Sequence, residues 1–337
     1  MRRAAAWGLF LGLAWAPPAS SESPPSYVRQ LRSTPNNPWA ISSPIGLCTD
    51  IGDVVWIVEL YGCHLQKWTT QGEFLARYGG EGSTPGLFFH PSDVIVDADG
   101  HLWIADRGNH RLQCWDRDGH VLSTYGSLGR TPGKFISPAG MAIRNGILYV
   151  TDTYNHRIQK FAIHDTTLEP VGTVGDSGRA AGQLISPTDL ALTPDGKMYV
   201  VDNGNNRIQV FSEAGVSLMR FGGNEAPSRG VLAYAYGVLL DLENDRCWVT
   251  ETFRRRIDKF SLSGVYEYSW GAPPNPRKVE LLTRPLSMTR TADGGLLVAD
   301  LDDAGASNRV VLYSYTTTPV VRRTWTDLRR AYRGPAR

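Results

Sequence analysis

Short runs of alternating apolar and polar residues follow one another along most of the chain. Between His90 and Trp115, one such run leads through Asp99-Gly100 to a second, and a polar loop then leads to a third. Alternation with a period of two predicts half-buried β-strands, and Asp-Gly between two such runs predicts a tight reversal. A later glycine, Gly119, precedes a fourth run. The pattern predicts a unit of four antiparallel strands.

The same unit recurs six times at a nearly constant spacing. It begins with a proline, or once with an alanine, at steps of 47 to 50 residues, and an acidic residue follows 14 to 16 positions later. The openings are Pro44, Pro91, Pro138, Pro187, Ala235 and Pro285, and the acids are Glu59, Asp106, Asp152, Asp202, Glu251 and Asp300. One four-stranded sheet cannot bury both faces, but six arranged radially can. We therefore predict an all-β fold, a six-bladed β-propeller with four antiparallel strands per blade, over residues 22–326.

Closure of such a ring requires pairing between the two ends of the chain. The segment 27–33 (YVRQLRS) resembles the fourth strand of the first unit, because a Thr-Pro pair and then the repeat proline follow both. We expect segment 27–33 to close the last blade beside residues 309–315. Segment 320–325 is the alternative occupant of that position.

The N-terminus has the features of an export signal. Arg2 and Arg3 precede a 13-residue apolar stretch, Ala4 to Ala16, and small residues lie before a cleavage point after Ser21. Such a stretch is short for a membrane span and typical of a signal peptide. We expect residues 1–21 to be a signal peptide, with an uncleaved anchor as the alternative. A secreted or periplasmic protein with no transmembrane segment in its mature chain follows.

The charge balance argues against a nucleic-acid partner. Lys and Arg number 35 and Asp and Glu number 33, which gives a net charge of +2 over 337 residues. Loss of the two signal-peptide arginines leaves the mature chain neutral, without the basic footprint of nucleic-acid binding proteins. The Arg-rich tail, 327–337, is either a solvated end or, with the arginines just before it, a contact for an acidic polymer or a membrane surface.

The loop between the second and third strands carries a recurring motif. Asp106 to Gln113 (DRGNHRLQ), Asp152 to Gln159 (DTYNHRIQ) and Asp202 to Gln209 (DNGNNRIQ) share it, and they resemble the NHL repeat. The resemblance implies the propeller fold and leaves function open, since it includes binding modules and a zinc-dependent peptide-amidating lyase. We expect a structural role in the loop for the motif residues Asp106, Asn109, Arg111, Asp152, Asn155, Arg157, Asp202, Asn205 and Arg207.

The same resemblance implies that the two residues after each repeat proline line the mouth of the central channel. The polar ones are Ser92, Thr188 and Tyr236 in the first of these slots and Asp93, Asp189 and Ser287 in the second. We take these six as candidate ligand-binding residues. The amidating lyases have zinc-binding histidines after this proline, whereas none of the slots here is His, so zinc is not expected. Asp93 and Asp189 either share a calcium ion with backbone oxygens or cap turns.

The four cysteines divide into a pair and two isolated residues. Cys48 and Cys63 belong to the first unit, and in an oxidising compartment they either form a disulfide or lie too far apart to do so. We expect Cys114 and Cys247 to be free and buried, far apart across the ring.

Taken together, the sequence favours a monomeric binding or scaffold module for a protein or small ligand. Its binding face is the one that carries the proline starts and the Asp-Asn-Arg loops. The alternative is a metal-dependent lyase or hydrolase with its site in the central channel.

Overall fold

Six sheets of four antiparallel strands form the described part of the molecule. The computed structural model describes residues 25–31, 40–223, 230–271, 281–301 and 308–314. Each sheet is one blade, and the chain passes from one blade to the next through the whole ring. The six-bladed β-propeller predicted from the repeats is confirmed. Residues 1–21, 320–325 and 327–337, which were assigned above as signal, alternative closing strand and tail, lie outside the described residues.

The strands follow the repeat pattern. Blade 1 contains β2 (Pro44–Asp50), β3 (Val54–Glu59), β4 (His64–Thr69) and β5 (Phe74–Gly79). Blade 2 contains β6 (Asp93–Val96), β7 (Leu102–Asp106), β8 (Arg111–Trp115) and β9 (Val121–Tyr125). Blade 3 contains β10 (Pro138–Arg144), β11 (Ile147–Asp152), β12 (Arg157–His164) and β13 (Thr167–Val174).

The second half of the ring is built in the same way. Two short strands, β14 (Asp176–Ser177) and β15 (Gln183–Leu184), pair in the connection to blade 4. Blade 4 contains β16 (Pro187–Leu192), β17 (Met198–Asp202), β18 (Arg207–Phe211) and β19 (Ser217–Phe221). Blade 5 contains β20 (Ala235–Asp241), β21 (Arg246–Glu251), β22 (Arg256–Phe260) and β23 (Tyr266–Trp270). Blade 6 contains β24 (Pro285–Arg290), β25 (Leu296–Asp300), β26 (Arg309–Ser314) and β1 (Ser26–Leu31).

The ring closes through the first strand of the chain. β1 pairs antiparallel with β26, with Ser26 opposite Ser314 and Leu31 opposite Val310. Leu31 is fully buried, and the ring of Tyr27 packs edge-on against that of Tyr313. The innermost strands of neighbouring blades also contact each other around the ring, and β24 contacts β2. The two chain ends are therefore held in one sheet.

The core is divided among the blade interfaces. Six clusters of buried apolar side chains occur in the described residues; five join two consecutive blades, and the one between blades 1 and 2 also includes Leu286 and Leu301 of blade 6. The cluster between blades 1 and 2, for example, contains Trp56 from one and Ile104 and Trp115 from the other. A central strand such as β7 is buried at every position, so both faces of its sheet must be covered, and packing between neighbouring blades provides that cover. The face-to-face packing also fixes where each loop emerges.

The disulfide considered for Cys48 and Cys63 is not formed, and all four cysteines are free. Cys48 lies opposite Trp56 in β2, whereas Cys63 lies in the turn after β3, beyond the pair Pro44 and Glu59. Four residues of strand separate Cys48 from that turn, roughly 13 Å, and a disulfide needs Cα atoms within roughly 7 Å. Cys114 and Cys247 are free and buried, as expected.

Candidate functional site

The motif between the second and third strands forms a closed hydrogen-bond network, shown here for blade 2. Asp106 ends β7 and is fully buried. Its Oδ1 accepts the backbone N–H of Phe89 at 2.9 Å, just before the innermost strand. Its Oδ2 accepts Arg111 Nε at 2.8 Å, Asn109 Nδ2 at 2.9 Å and Gln113 Nε2 at 3.1 Å. This buried carboxylate is therefore paired with a cation and fully hydrogen-bonded, as a buried charge must be.

Blades 3 and 4 repeat this network with nearly the same distances. Asp152 accepts from Arg157 Nε at 2.9 Å, and Asp202 accepts from Arg207 Nε at 2.7 Å. The arginines extend further, to carbonyl groups of the connection from the preceding blade; Arg207, for example, donates to the Gln183 carbonyl at 2.9 Å. The structure therefore places the motif residues inside the scaffold, where they tie each blade to its incoming connection.

Blades 1 and 5 depart from this pattern. Glu59 accepts Gln66 Nε2 at 2.9 Å and the backbone N–H of Ser42 at 2.5 Å, and burial raises its pKa. In blade 5 burial raises the pKa of Glu251 to about 7, although Arg254 lies 3.2 Å away. The negative charge of each of these two acids is thus less well balanced by cations and hydrogen-bond donors than that of the acids in blades 2 to 4.

A second link between blades uses the residue directly before the motif arginine, which the sequence analysis missed. This residue adopts the left-handed conformation, and its side chain accepts a backbone N–H at the start of the next blade. His110 Nδ1 accepts from Ser137 at 3.1 Å, and His156 Nδ1 accepts from Ser186 at 3.0 Å. Asn206 Oδ1 does the same for Tyr234 at 3.0 Å. The residue type could have indicated this position in the sequence, because His and Asn adopt positive φ more readily than most residues.

At the channel mouth, the hydroxyl groups of the first slot are used within the scaffold. Ser92 Oγ donates to the Pro138 carbonyl at 3.1 Å, and Thr188 Oγ1 donates to the Tyr236 carbonyl at 2.8 Å. Each bond joins the innermost strand of one blade to that of the next. Ser287, in the second slot of blade 6, is half-buried. The hydroxyl groups of Ser92 and Thr188 therefore donate to the neighbouring blade and not to a ligand.

The second slot alternates between glycine and a polar side chain around the ring, in the order Gly46, Asp93, Gly140, Asp189, Gly237 and Ser287. A Cβ atom at Gly46 would lie 2.7 Å from Asp93 Cα, and one at Gly140 would lie 2.6 Å from Asp189 Cα. Only glycine permits this close approach. The alternation lets an aspartate of one blade lie against the backbone of its neighbour.

The two aspartates of the mouth are also bonded to the following blade. Asp93 Oδ2 accepts the backbone N–H of Met141 at 2.9 Å, and Asp189 Oδ2 accepts that of Val238 at 2.9 Å. Burial raises the pKa of Asp189 to about 7. Burial, and then the charge of Asp189, raise the pKa of Asp93 well above its usual range. The pair consequently carries fewer than two negative charges at neutral pH.

Tyr236 shares this environment. Burial raises its pKa to about 12, and the charge of Arg107 opposes that shift. Asp93, Asp189 and Tyr236 are close enough for their charges to affect one another. The mouth thus combines Asp189, whose pKa is about 7, with a second carboxyl group whose pKa is also raised and with the phenol of Tyr236. Such groups can donate or accept a proton, or bind a cationic ligand.

A metal at the mouth would have few protein ligands. Within the described ranges, no group of three or more His, Cys, Asp or Glu side chains is placed to hold a metal ion. The two aspartates would need backbone oxygens or water to complete the six to eight ligands that calcium takes. The fit of calcium to these residues is therefore partial.

Exposed aromatic side chains lie on the same face as the mouth, and none of them was among the candidate residues named from the sequence. Among the described residues, the aromatic side chains that are largely exposed all lie on the face of the proline starts; we call them the aromatic rim, and they are Tyr61, Phe89, Tyr154, Tyr234 and Phe253. The most exposed are Tyr61, at 66%, and Phe253, at 62%. Their position two residues after the blade acid, in blades 1, 3 and 5, was the available signal.

Contacts between loops hold parts of the aromatic rim in place. The ring of Tyr61 packs edge-on against His90 of the next blade, with centroids 5.9 Å apart. Tyr234 and Phe253 pack edge-on at 4.9 Å, and the Arg284 guanidinium lies over Phe253 at 5.3 Å. The side chains are therefore exposed but partly preorganised.

No helix within the described residues is long and apolar enough to cross a membrane.

Comparison with known proteins supports the repeat assignment. The family model of the NHL repeat matches residues 88–115, 135–161 and 184–211. Each match begins near the end of the connection into blade 2, 3 or 4 and continues through the third strand of that blade. The curated protein SUPPRESSOR OF QUENCHING 1, chloroplastic, of Arabidopsis thaliana is 35% identical over 77 residues. The match covers 20% of this chain and 7% of that protein, so most of the relative has no counterpart here.

Solved structures show the same fold at low identity. Virginiamycin B lyase from Staphylococcus aureus is 18% identical, with a TM-score of 0.56 over 86% of this chain and 89% of that one. A chain of a nidogen/laminin complex is 17% identical, with a TM-score of 0.55 over 73% of this chain and 84% of that one. Likeness at this level establishes the propeller architecture.

Proposed function

We propose that this six-bladed propeller, which carries NHL repeats in its second, third and fourth blades, is a binding module that recognises a protein partner on its aromatic rim. The observation that carries the proposal is the exposure of five aromatic side chains on one face. Tyr, Phe and Arg are enriched in the centres of protein interfaces, and leaving such side chains in water is unfavourable. Five of them on the face of the channel mouth form a suitable docking surface.

The hydrogen-bond networks support this assignment by exclusion. The charged groups of the repeat motif in blades 2 and 4 are used within the scaffold, from Asp106 and Arg111 to Asp202 and Arg207. Recognition on this face then depends on side chains that the scaffold leaves exposed. The partner would encounter the aromatic rim first and the two aspartates at its centre.

The proposal includes export of the protein. Residues 1–21 have the composition of a signal peptide, and we propose that the mature chain acts outside the cytoplasm. Expression of the full chain, with N-terminal sequencing of the exported product, tests this step. A product that keeps Arg2 and Arg3 would contradict cleavage after Ser21.

Affinity capture with matched variants tests the binding surface. Tyr61→Ser and Phe253→Ser remove rim side chains, whereas Val216→Ser and Leu218→Ser remove exposed apolar side chains near β19, away from the rim. Captured proteins are quantified for the wild type and each variant, after thermal melts confirm that all are folded. A partner lost with both rim variants and kept with both control variants supports the proposal. Equal retention by all four contradicts it.

The alternative function is a metal-dependent lyase or hydrolase at the channel mouth. The raised pKa values of Asp93 and Asp189 favour it, because shifted carboxyl groups are frequent at catalytic sites. Metal analysis of the purified protein separates the two functions. Tightly bound metal in stoichiometric amount, lost on substitution of both aspartates by asparagine, would favour the enzyme.

A further inference from the structure

A cleft of about 340 Å³ opens on the face of the aromatic rim, between blade 3 and the connections that precede and follow it. Its lining residues are Arg130, Tyr154, Asn155, His156, Arg157 and Ser177. None of them is acidic, and two are arginines. The cleft is near the lower limit of volume for small-molecule sites, which suits a ligand of about the size of one sugar.

Arg157 differs from its counterparts in blades 2 and 4. There the Nη1 atom donates to a backbone carbonyl, from Arg111 to Ser83 at 2.7 Å and from Arg207 to Arg179 at 2.8 Å. Arg157 donates from Nε to Asp152 and from Nη2 to two carbonyls at 3.3 and 3.4 Å. Among the described residues, no acceptor binds its Nη1. The N–H groups of Nη1 are therefore available to a ligand at the cleft.

Asn155 supplies a complementary acceptor. Its Nδ2 donates to Asp152 Oδ2 at 2.8 Å and to the Gly129 carbonyl at 2.8 Å. Its Oδ1 is buried and has no hydrogen-bond partner in the described part of the chain. A buried acceptor without a partner costs free energy, so a donor from a ligand would be stabilising here.

The histidine of the cleft presents a hydrogen-bond donor. His156 Nδ1 accepts the backbone N–H of Ser186 at 3.0 Å. In the neutral ring the proton is then on Nε2, which makes that atom a donor. Together with the hydroxyl groups of Tyr154 and Ser177, the cleft offers many donors and the single orphaned acceptor of Asn155.

The equivalent boundary between blades 2 and 3 has different chemistry. The slot of Tyr154 is occupied there by Gly108, and the slot of Ser177 by Leu128, whose side chain is 61% exposed. The donor-rich lining therefore belongs to blade 3 and is not a general property of the repeat.

We propose that this cleft binds a hydroxylated carboxylate of sugar size, such as a uronic acid unit. The guanidinium groups of Arg130 and Arg157 would bind the carboxylate, since their planar donor fork matches its geometry. A ligand hydroxyl would donate to Asn155 Oδ1, and the ring of Tyr154 would cover an apolar face of the sugar. Tyr154 also belongs to the aromatic rim, whereas Arg130, Arg157 and Asn155 do not, so variants of the arginines test this site separately from the proposed protein partner.

Titration calorimetry with D-glucuronate tests the proposal, using Arg130→Ala and the control Arg179→Ala. Arg179 is an exposed arginine in the corresponding slot one blade later, and it does not line the cleft. Loss of a charge-assisted hydrogen bond should weaken glucuronate binding by about tenfold or more in Arg130→Ala. Arg179→Ala should bind as the wild type does, and Ser177→Ala should bind more weakly.

Glucose and inorganic phosphate are the comparison ligands. Glucose lacks the carboxylate and should bind much more weakly than glucuronate. Equal affinity for glucose, binding of phosphate without glucuronate, or equal loss in the two arginine variants would each overturn the proposal. Absence of glucuronate binding by the folded wild type up to tens of millimolar would also overturn it.

Discussion

The carboxylate of Asp189 in blade 4 accepts a hydrogen bond from the backbone N–H of Val238 in blade 5, at 2.9 Å. Asp93 in blade 2 makes the same bond to Met141 in blade 3. The two carboxyl groups at the channel mouth with raised pKa values therefore also link neighbouring blades. Changes in their protonation should affect the stability of the ring as well as any ligand in the channel.

The pH dependence of stability tests the environment of Asp189. Its folded pKa of about 7 lies above the ordinary value of 3.8, so the folded state binds this proton more tightly than the unfolded chain. The stabilisation from protonation is complete below the ordinary pKa and is lost as pH rises through about 7. Asp189→Asn keeps an acceptor for Val238 and removes the titration. We expect it to gain at least about 1 kcal/mol over the wild type between mildly acidic and mildly alkaline pH.

Denaturant melts at several pH values measure this difference. Asp176→Asn, a change at an exposed aspartate on β14, is the matched control and should follow the wild type throughout. A constant difference between Asp189→Asn and the wild type over the whole range would contradict the raised pKa.

The buried ion pairs of the motif should be costly to break. Arg207 is 7% exposed, and Asp202 is fully buried. Arg207→Ala leaves this carboxylate without its cation, which costs about 3–5 kcal/mol when a buried pair loses one partner. Arg179→Ala removes an exposed arginine and should change the free energy of unfolding by less than about 0.5 kcal/mol. Urea unfolding of both variants gives the comparison, and similar effects would show that the pair contributes little.

The closing strand can be tested with two truncations on β1. Leu31 is fully buried in the cluster between blades 6 and 1, whereas Val28 is 43% exposed. Leu31→Ala should lower the free energy of unfolding by about 2–5 kcal/mol, the usual cost of truncating a buried leucine. Val28→Ala should have little effect. If Leu31→Ala were as stable as Val28→Ala in thermal and urea melts, β1 would not be needed for closure.

Calcium binding at the mouth can be measured by thermal shift. Asp93 and Asp189 carry fewer than two charges at neutral pH, and each already accepts a backbone N–H. We therefore expect millimolar calcium to leave the melting temperature unchanged at that pH. A rise with calcium that disappears in Asp93→Asn would establish the calcium site instead, and magnesium serves as the control ion.

Much of the fold could be predicted because each blade carries its own local signals. The acid recurs in every unit and the proline about 15 residues before it in all but the fifth, where Ala235 stands, so their alignment revealed the number of blades. The disulfide was harder to judge, since Cys48 and Cys63 are close in sequence but lie at different heights in the sheet. Spacing along the chain does not give distance across a strand and a turn.

The candidate site was only partly accessible from the sequence. Asp93, Asp189 and Tyr236 were identified as lining the mouth, and the structure brings their charges within mutual influence. The hydroxyl groups of Ser92 and Thr188 were also candidates, but their acceptors lie in the next blade, nearly 50 residues away. No local pattern shows whether a side chain is used by the scaffold or is left for a ligand.

The sequence by itself determined the repeating unit and the ring of six, because alternation and turn chemistry act between near neighbours. Which residues lie at the mouth followed from the resemblance to the NHL repeat. Only the tertiary structure decided which polar groups are consumed inside the ring, which aromatic side chains are left exposed, and that Arg157 and Asn155 open onto a cleft. Those properties depend on contacts between blades, and burial and hydrogen bonding between distant segments exist only once the ring has closed.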